Sequence, residues 1–361
     1  MIGGSGMAAV WIKNFIENFT HQVKIVGLCD VNTKVLEKNA KLLGLSKDRL
    51  FTDFNEACEK VKADFCGIAI PPQFHSSAAI AAMENGMPVL CEKPIADTLE
   101  AAKAMLHTSK KTDMPCAIIQ QFRYASNKQE FIRIRDEGRL GRLQYIVGKY
   151  ADDYQRFTSD KRPHRRLLFH DCVHHFDMFR FLSGSDCETL SGFGWKPEWS
   201  KFDHWSSGFY IMRMENGLHA FYEGNSSGAG LITNWHSYYR AEFENGTVEL
   251  LDENRVVIYQ MGKKTRSYKA PKVIFPGRSG QPIGGFWGHV YIIDEFLNWL
   301  DGGLPSSTRI EDNIKSFVMS IAARDTTLDN QPKKIRDYLL DVEYLISDSK
   351  HKVNIQDSVQ L

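Results

Sequence analysis

Two regimes of hydrophobic patterning divide the chain. Up to residue 120, short unbroken apolar runs take turns with stretches where apolar residues recur every three or four positions. Unbroken runs read as strands buried on both faces, and the recurring pattern reads as amphipathic helix. Strands are expected over 23–30, 63–70, 89–91 and 116–119, and helices over 33–43, 75–85 and 98–108. Pro71-Pro72 stops the second of these runs, because proline cannot continue a strand interior. Strand and helix alternating at crossover spacing predict a parallel, doubly wound sheet.

Residues 126–136 and 170–184 read as helices, with 143–150 as a strand between them. From 188 to 268 the period falls to two, giving strands over 189–195, 207–215, 217–223, 238–243, 247–251 and 255–260. Asn216-Gly217 and Asn245-Gly246 are hairpin signals, so this sheet should be largely antiparallel. Late helices follow over 289–300 and 311–328, and both should pack on the sheet and on the first domain. The fold class is an α/β N-terminal domain with a parallel doubly wound sheet, plus an α+β C-terminal domain with a large, mostly antiparallel open-faced sheet. The boundaries fall at 1–120, 121–330 and a C-terminal extension over 331–361 whose role is not readable.

Composition removes several function classes. The 361 residues carry 45 basic and 44 acidic side chains, so neither nucleic acid nor an anionic membrane is an expected partner. No apolar run approaches the roughly 20 residues of a membrane span. The seven cysteines show no metal spacing, and four of them fall in strand-like runs, as buried free thiols do. A reducing compartment, the cytoplasm, is expected. Only Met1 and Ile2 precede the first glycine, so either the first strand is very short or the start is truncated, and an upstream targeting segment stays open.

Gly3-Gly4-Ser5-Gly6-Met7-Ala8-Ala9 opens a helical pattern. Glycines before a helix let backbone approach a pyrophosphate, and the helix N-terminus offers N–H donors. Asp30 ends the next apolar run, 24 positions after Gly6, near the spacing of a ribose-binding acid. A carboxylate there accepts bonds from the ribose hydroxyls and repels a 2′-phosphate, favouring NAD over NADP. It also has a plainer reading as the cap of the helix starting near Thr33. Pro88-Val89-Leu90-Cys91-Glu92-Lys93-Pro94 then places a lysine at the C-terminal end of a buried strand, where ligands bind in open α/β sheets.

Gly3–Gly6, Asp30, Pro71-Pro72 with His75, and above all Glu92-Lys93-Pro94 resemble the glucose–fructose oxidoreductase/inositol dehydrogenase/MocA family, over about residues 1 to 330. The resemblance implies a Rossmann domain over 1–120 that binds NAD, with NADP as the alternative. Gly3, Gly4, Ser5, Gly6, Met7, Asp30, Pro71, His75, Glu92 and Lys93 would be its cofactor-binding residues. Lys93 would be the catalytic or substrate-positioning lysine, Glu92 and Pro94 would shape the nicotinamide pocket across a cis Lys93–Pro94 bond, and His75 would lie beside the cofactor. It further implies a homodimer or homotetramer built through the open face of the C-terminal sheet.

His170, His174 and Asp177 lie four and three residues apart on one face of a helical pattern that Gly184 stops. Family members carry an acid four residues before the proton-transferring histidine. His174 matches that histidine, His170 stands where the acid usually is, and Asp171 is one residue off. The catalytic set is therefore Lys93, His174 and His170, and the substrate-binding set Arg123, Tyr124, Arg165, Asp171 and His174, with His164 and Arg166 beside Arg165. Arg123 equally reads as an ordinary ion pair. The 271–288 loop, with Trp287, should lie over the site and lead to His289. A zinc pair at His170 and His174 lacks a third ligand, so no metal is expected, and a structural histidine cluster is the other reading.

The expected function is an NAD-dependent oxidoreductase acting on a secondary hydroxyl of a sugar, cyclitol or related polyol. His174 serves as acid/base, with Lys93 as relay and stabiliser of the alkoxide. Two alternatives are an NAD-dependent redox-elimination glycosidase and a non-catalytic dinucleotide-binding regulator.

Overall fold

The computed structural model describes residues 1–153, 167–251, 254–271 and 288–347. In the first half, strands β1 (Leu28–Cys29), β2 (Leu50–Phe51), β3 (Cys66–Ile68), β4 (Val89–Cys91) and β5 (Cys116–Ile118) alternate with helices α1 (Met7–Asn18), α2 (Thr33–Leu43), α3 (Phe54–Lys60), α4 (His75–Glu84) and α5 (Leu99–Thr112). β1 pairs with β2, and β3 with β4 and β5, all in parallel. Ile2 alone joins the two groups, bridging to Cys29 on one side and Ile68 on the other. The strands are shorter than their apolar runs. With only Ile2 between them, the ladder of β1 runs out before residues 23–27, although Val23 and Ile25 still pack against apolar neighbours. A cavity of about 380 Å³ opens there, lined by Ile25, Gly27, Cys58, Phe65 and Cys66 among others. It lies at the N-terminal edge of the sheet, away from the glycine turn.

The second half opens with α6 (Ser126–Asp136), β6 (Leu143–Ala151), α7 (Cys172–Ser183), β7 (Cys187–Trp195), β8 (Ser207–Met214) and β9 (His219–Asn225). It continues through β10 (Tyr238–Phe243), β11 (Gly246–Leu250), β12 (Arg255–Gln260), β13 (Arg266–Lys269), α8 (His289–Leu300), α9 (Ile310–Asp329), β14 (Lys333–Lys334) and α10 (Glu343–Ser347). Nine strands form one sheet in the order β13-β12-β11-β10-β6-β9-β8-β7-β14. Every pair is antiparallel except β6 with β9, which run parallel. Alternation decides the faces: on β8, Tyr210, Met212 and Met214 point inward, while Phe209, Ile211 and Arg213 point outward.

Two features qualify the expected boundaries. β14 pairs with β7, so part of the C-terminal extension belongs to the large sheet. α8 returns to the first half, where Val290, Ile293 and Phe296 share a cluster with Trp11, Phe15 and Leu90. Arg309 then bridges Ala117, on β5. The cofactor half is thus completed by chain from beyond residue 120.

Candidate active site

The glycine turn fits a dinucleotide. Gly3 has φ +102°, and a Cβ there would meet the Ala69 carbonyl oxygen at 2.2 Å. Gly6 has φ +58° with nothing within 4 Å, leaving open space at the start of α1, which has no side-chain cap and no acid in its first turn. Ser5 and Met7, the positions flanking Gly6, are exposed beside that space. Free N–H groups and an uncancelled positive helix end suit a pyrophosphate. The Asp30 carboxylate accepts from the Gly4 N–H at 2.9 Å and from the Asn32 N–H at 2.8 Å. It therefore fastens the turn to the end of β1. The cap of α2 is Asn32, whose side chain accepts from Lys34 and Val35, so the capping reading of Asp30 is corrected.

β4 delivers Glu92 and Lys93 at its C-terminal end, and the Lys93–Pro94 bond is cis. Glu92 is buried. Its carboxylate accepts from Trp11 Nε1 at 2.8 Å and from the Lys93 N–H at 3.1 Å, with His289 Nε2 at 3.8 Å. Burial raises its pKa, against the pull of Lys93. Glu92 thus ties the glycine-turn helix to the Lys93 strand, and α8 to both. His75 is fully buried, with Nδ1 2.8 Å from the Pro94 carbonyl and Nε2 2.8 Å from the Ile70 carbonyl. His75, expected beside the cofactor, links the backbone next to Pro71 with the backbone next to Lys93. Burial lowers its pKa, while the two carbonyls act to raise it.

The histidine stretch departs from a uniform α-helix. Leu167–Asp171 forms a π turn, and α7 begins only at Cys172, ending at Gly184 in the left-handed region. A π turn inserts a residue into the helical register, so His170 and His174 do not share one straight α-helical face as expected. His174 is 1% exposed, whereas the His170 side chain is 47% exposed. Asp171, expected to point elsewhere, is buried beside His170: its carboxylate lies 3.0 Å from His170 Nδ1 and accepts from Ser226 Oγ at 2.8 Å.

Lys93 and this stretch meet, because Lys93 Nζ donates to the His170 carbonyl at 3.4 Å. Burial, followed by the charge of Lys93, holds the His174 imidazole well below its ordinary pKa. Phe122 stacks on His174 at 4.0 Å and on His236 at 4.1 Å.

Arg123 and Tyr124, expected to touch substrate, are both engaged by other residues of the chain. Arg123 is buried, and its Nε and Nη2 grip Asp177 at 2.7 and 2.5 Å, with Asp312 at 2.8 Å. This network anchors α7 to α9, and Asp177 serves it rather than the face of His174. Tyr124 OH is engaged by Glu295 and Ser307. Arg165, with His164 and Arg166, lies outside the described residues, as does 272–287 with Trp287. Among the described residues, no group of three or more His, Cys, Asp or Glu side chains is gathered for a metal. Gln120, without an expected role of its own although the family resemblance carries the stretch 120–124 into the site, is fully buried and bonded to His174. Its signal was a polar residue closing the apolar run 116–119 at the ligand edge of the sheet.

The oxidoreductase family with an NAD-binding Rossmann fold (Gfo/Idh/MocA) matches residues 1–119. Protein y4oX of Sinorhizobium fredii, uncharacterised, is 29% identical over 351 residues, spanning 94% of this chain and 95% of its own. The scyllo-inositol 2-dehydrogenase (NAD(+)) of Bacillus subtilis is 30% identical over 159 residues, 44% of this chain and 46% of that enzyme. The alignment therefore covers less than half of that enzyme's length. Levoglucosan dehydrogenase, solved with NADH and levoglucosan, shares the fold with a TM-score of 0.76 at 16% identity, over 92% of this chain and 98% of its own. Residues 1–119 thus match the NAD-binding Rossmann domain of the Gfo/Idh/MocA oxidoreductase family, and the chain as a whole shares the fold of levoglucosan dehydrogenase, large C-terminal sheet included.

Proposed function

We propose that this protein is a dehydrogenase that moves hydride between NAD and a secondary hydroxyl of a sugar, cyclitol or related polyol. The observation that carries the reading is the meeting of Lys93, from the end of β4, with the turn that leads into His174. The inositol and levoglucosan dehydrogenases among the relatives support the substrate class.

NAD, when bound, supplies the hydride acceptor. Gly3, Gly4, Ser5, Gly6 and Met7 would cradle its pyrophosphate, and Asp30 its ribose, which favours NAD over NADP. Pro71, His75 and Glu92 hold the backbone around the nicotinamide end and keep Lys93 in place. Lys93 and His174 face the substrate oxygen, where the proton change takes place, because oxidising a carbinol releases one proton with the hydride. His170, half exposed and paired with Asp171, sits where the family resemblance implies an acid and would touch the substrate's outer hydroxyls.

Residues 1–120 form the cofactor domain and 121–330 the substrate domain. Phe193, Trp195, Phe209, Ile211 and Phe221 are exposed on the outer face of the large sheet, which supports a homodimer or homotetramer joined there. Seven buried free cysteines fit the reducing cytoplasm. The test is turnover with NAD+ or NADP+ and a panel of inositols, aldoses and their acids, read as reduced nicotinamide. Binding of NAD without turnover across the panel overturns the enzymatic reading.

A further inference from the structure

We infer that Gln120 fixes the tautomer of His174 so that Nε2 carries the proton, making His174 the hydrogen-bond donor to the substrate oxygen and leaving Lys93 as the group that takes and returns the proton.

The argument starts from Gln120, which is fully buried at the end of the β5 run. Its amide has three neighbours: His174 Nδ1 at 3.0 Å, the Val173 carbonyl oxygen at 3.2 Å and Asn313 Nδ2 at 3.2 Å. A carbonyl oxygen accepts only, so the end of the amide facing Val173 must be the NH2 group. Turning the amide would place two oxygens 3.2 Å apart and face the NH2 of Gln120 with that of Asn313. Turning Asn313 as well would cure only the second clash. The NH2 group of Gln120 therefore points one hydrogen at Val173 and the other at His174 Nδ1.

Receiving that bond, Nδ1 must present its lone pair. In a neutral imidazole the proton then sits on Nε2. His174 Nε2 is buried and has no partner among the described residues, so its hydrogen is left for a ligand. Burial is the main cause that keeps the ring uncharged, and Lys93, in its ammonium form, with His175, His170 and His236 acts in the same direction. Phe122 covers one face of the ring and adds no charge.

A neutral imidazole with N–H toward the substrate has no lone pair there with which to take the hydroxyl proton. It can stabilise charge developing on the oxygen, as preorganised donors do. The proton balance then runs through Lys93. In oxidation, the amine form of Lys93 takes the hydroxyl proton and becomes ammonium as the carbon–hydrogen bond yields its hydride to the nicotinamide. In reduction the ammonium returns the proton to the oxygen that hydride addition leaves negative. Gln120 acts only through His174 and is a positioning residue.

This inference rests on the dehydrogenase reading for the role of the substrate oxygen, but its central measurement does not. The tautomer of His174 is read in the full chain without substrate, from the nitrogen-15 shifts and long-range proton couplings of its ring near neutral pH. The expected result is a protonated Nε2 and a bare Nδ1. A protonated Nδ1 overturns the inference whatever the enzyme oxidises. Gln120→Glu places an acceptor against Nδ1 and should reverse the tautomer. With whichever of myo-inositol, scyllo-inositol and glucose the wild type oxidises fastest, this variant should lose about 10²-fold in kcat, the cost of one donor to the reacting oxygen. A Gln120→Glu enzyme as fast as the wild type or faster would mean that a bare Nε2 serves as base, and would overturn the inference. A Gln120→Leu variant guards against misfolding, since it should keep the NAD affinity of the wild type while its His174 loses the tautomer preference.

Discussion

The two halves hold their candidate active-site side chains by opposite means. Lys93 stands on a three-residue strand secured by backbone contacts: the parallel ladder on both sides, the Glu92 carboxylate on its own N–H, and His75 on the Pro94 carbonyl. His174 stands on a helix secured by buried charge. One turn further along, Asp177 is gripped by Arg123, and Arg180 is held by Asp186 and Asp312. Arg180 and Arg123 overcome the burial of Asp312 and hold its carboxyl far below the usual carboxylate range. A lysine whose strand is laddered on both sides keeps its place with few charged partners around it. A helix fixed by charge depends on each partner, because removing one leaves another charged and dry.

The sharpest way to break this contrast is to remove the lysine itself. Lys93→Met should lower kcat/KM by up to about 10⁴-fold with unfolding stability within about 0.5 kcal/mol of the wild type, since only the proton-carrying group is lost. Steady-state kinetics and a denaturant melt decide it, and activity within tenfold of the wild type would refute the role.

Arg123→Ala should do the reverse to stability. It takes the bidentate partner from Asp177, whose side chain is fully buried and keeps Ser316 at 2.7 Å and Arg180 at 3.7 Å, and should cost about 3 kcal/mol in a urea melt. A loss below about 1 kcal/mol would show that α7 does not depend on this pair.

Acid should act on the second half first. Burial brings the pKa of His175 down to about 4 and that of His236 down to about 3, from 6.5. The unfolded chain therefore binds protons that the folded chain refuses. The stability from each ring is whole above pH 6.5 and is lost as pH falls toward its folded value, amounting to on the order of 3 kcal/mol for His175. Replacing His175 with Gln should flatten the fall in stability between pH 6.5 and 4.

The smallest effect belongs to the cofactor half. Asp30→Ala should narrow the preference for NAD over NADP by about tenfold, or roughly 1.4 kcal/mol, measured by fluorescence titration. Tighter binding of NADP than NAD by the unaltered chain would remove the argument from Asp30.

Much of the first half was legible because its signals are local. The glycines, the apolar run before Glu92-Lys93-Pro94 and the stop at Pro71-Pro72 each act within a few residues. What escaped depends on distant partners. Nothing within reach of Arg123 in the sequence identifies Asp177, 54 residues on, as its partner. The π turn at Leu167–Asp171 has no periodic signature, so Asp171 read as misplaced when the extra residue brings it against His170. β13 is too exposed and too rich in polar residues to show an apolar alternation, and β14 has only two residues. The parallel pairing of β6 with β9 joins strands far apart in sequence, which no hairpin signal can announce.

The buried thiols turn the molecule into its own reporter. Cys29, Cys58, Cys66, Cys91 and Cys116 lie in the cofactor half, and Cys172 and Cys187 in the other. None is exposed in the folded chain, so an alkylating reagent can reach each only when its surroundings open. Mass spectrometry of the order in which the seven are labelled would read directly which half loosens first.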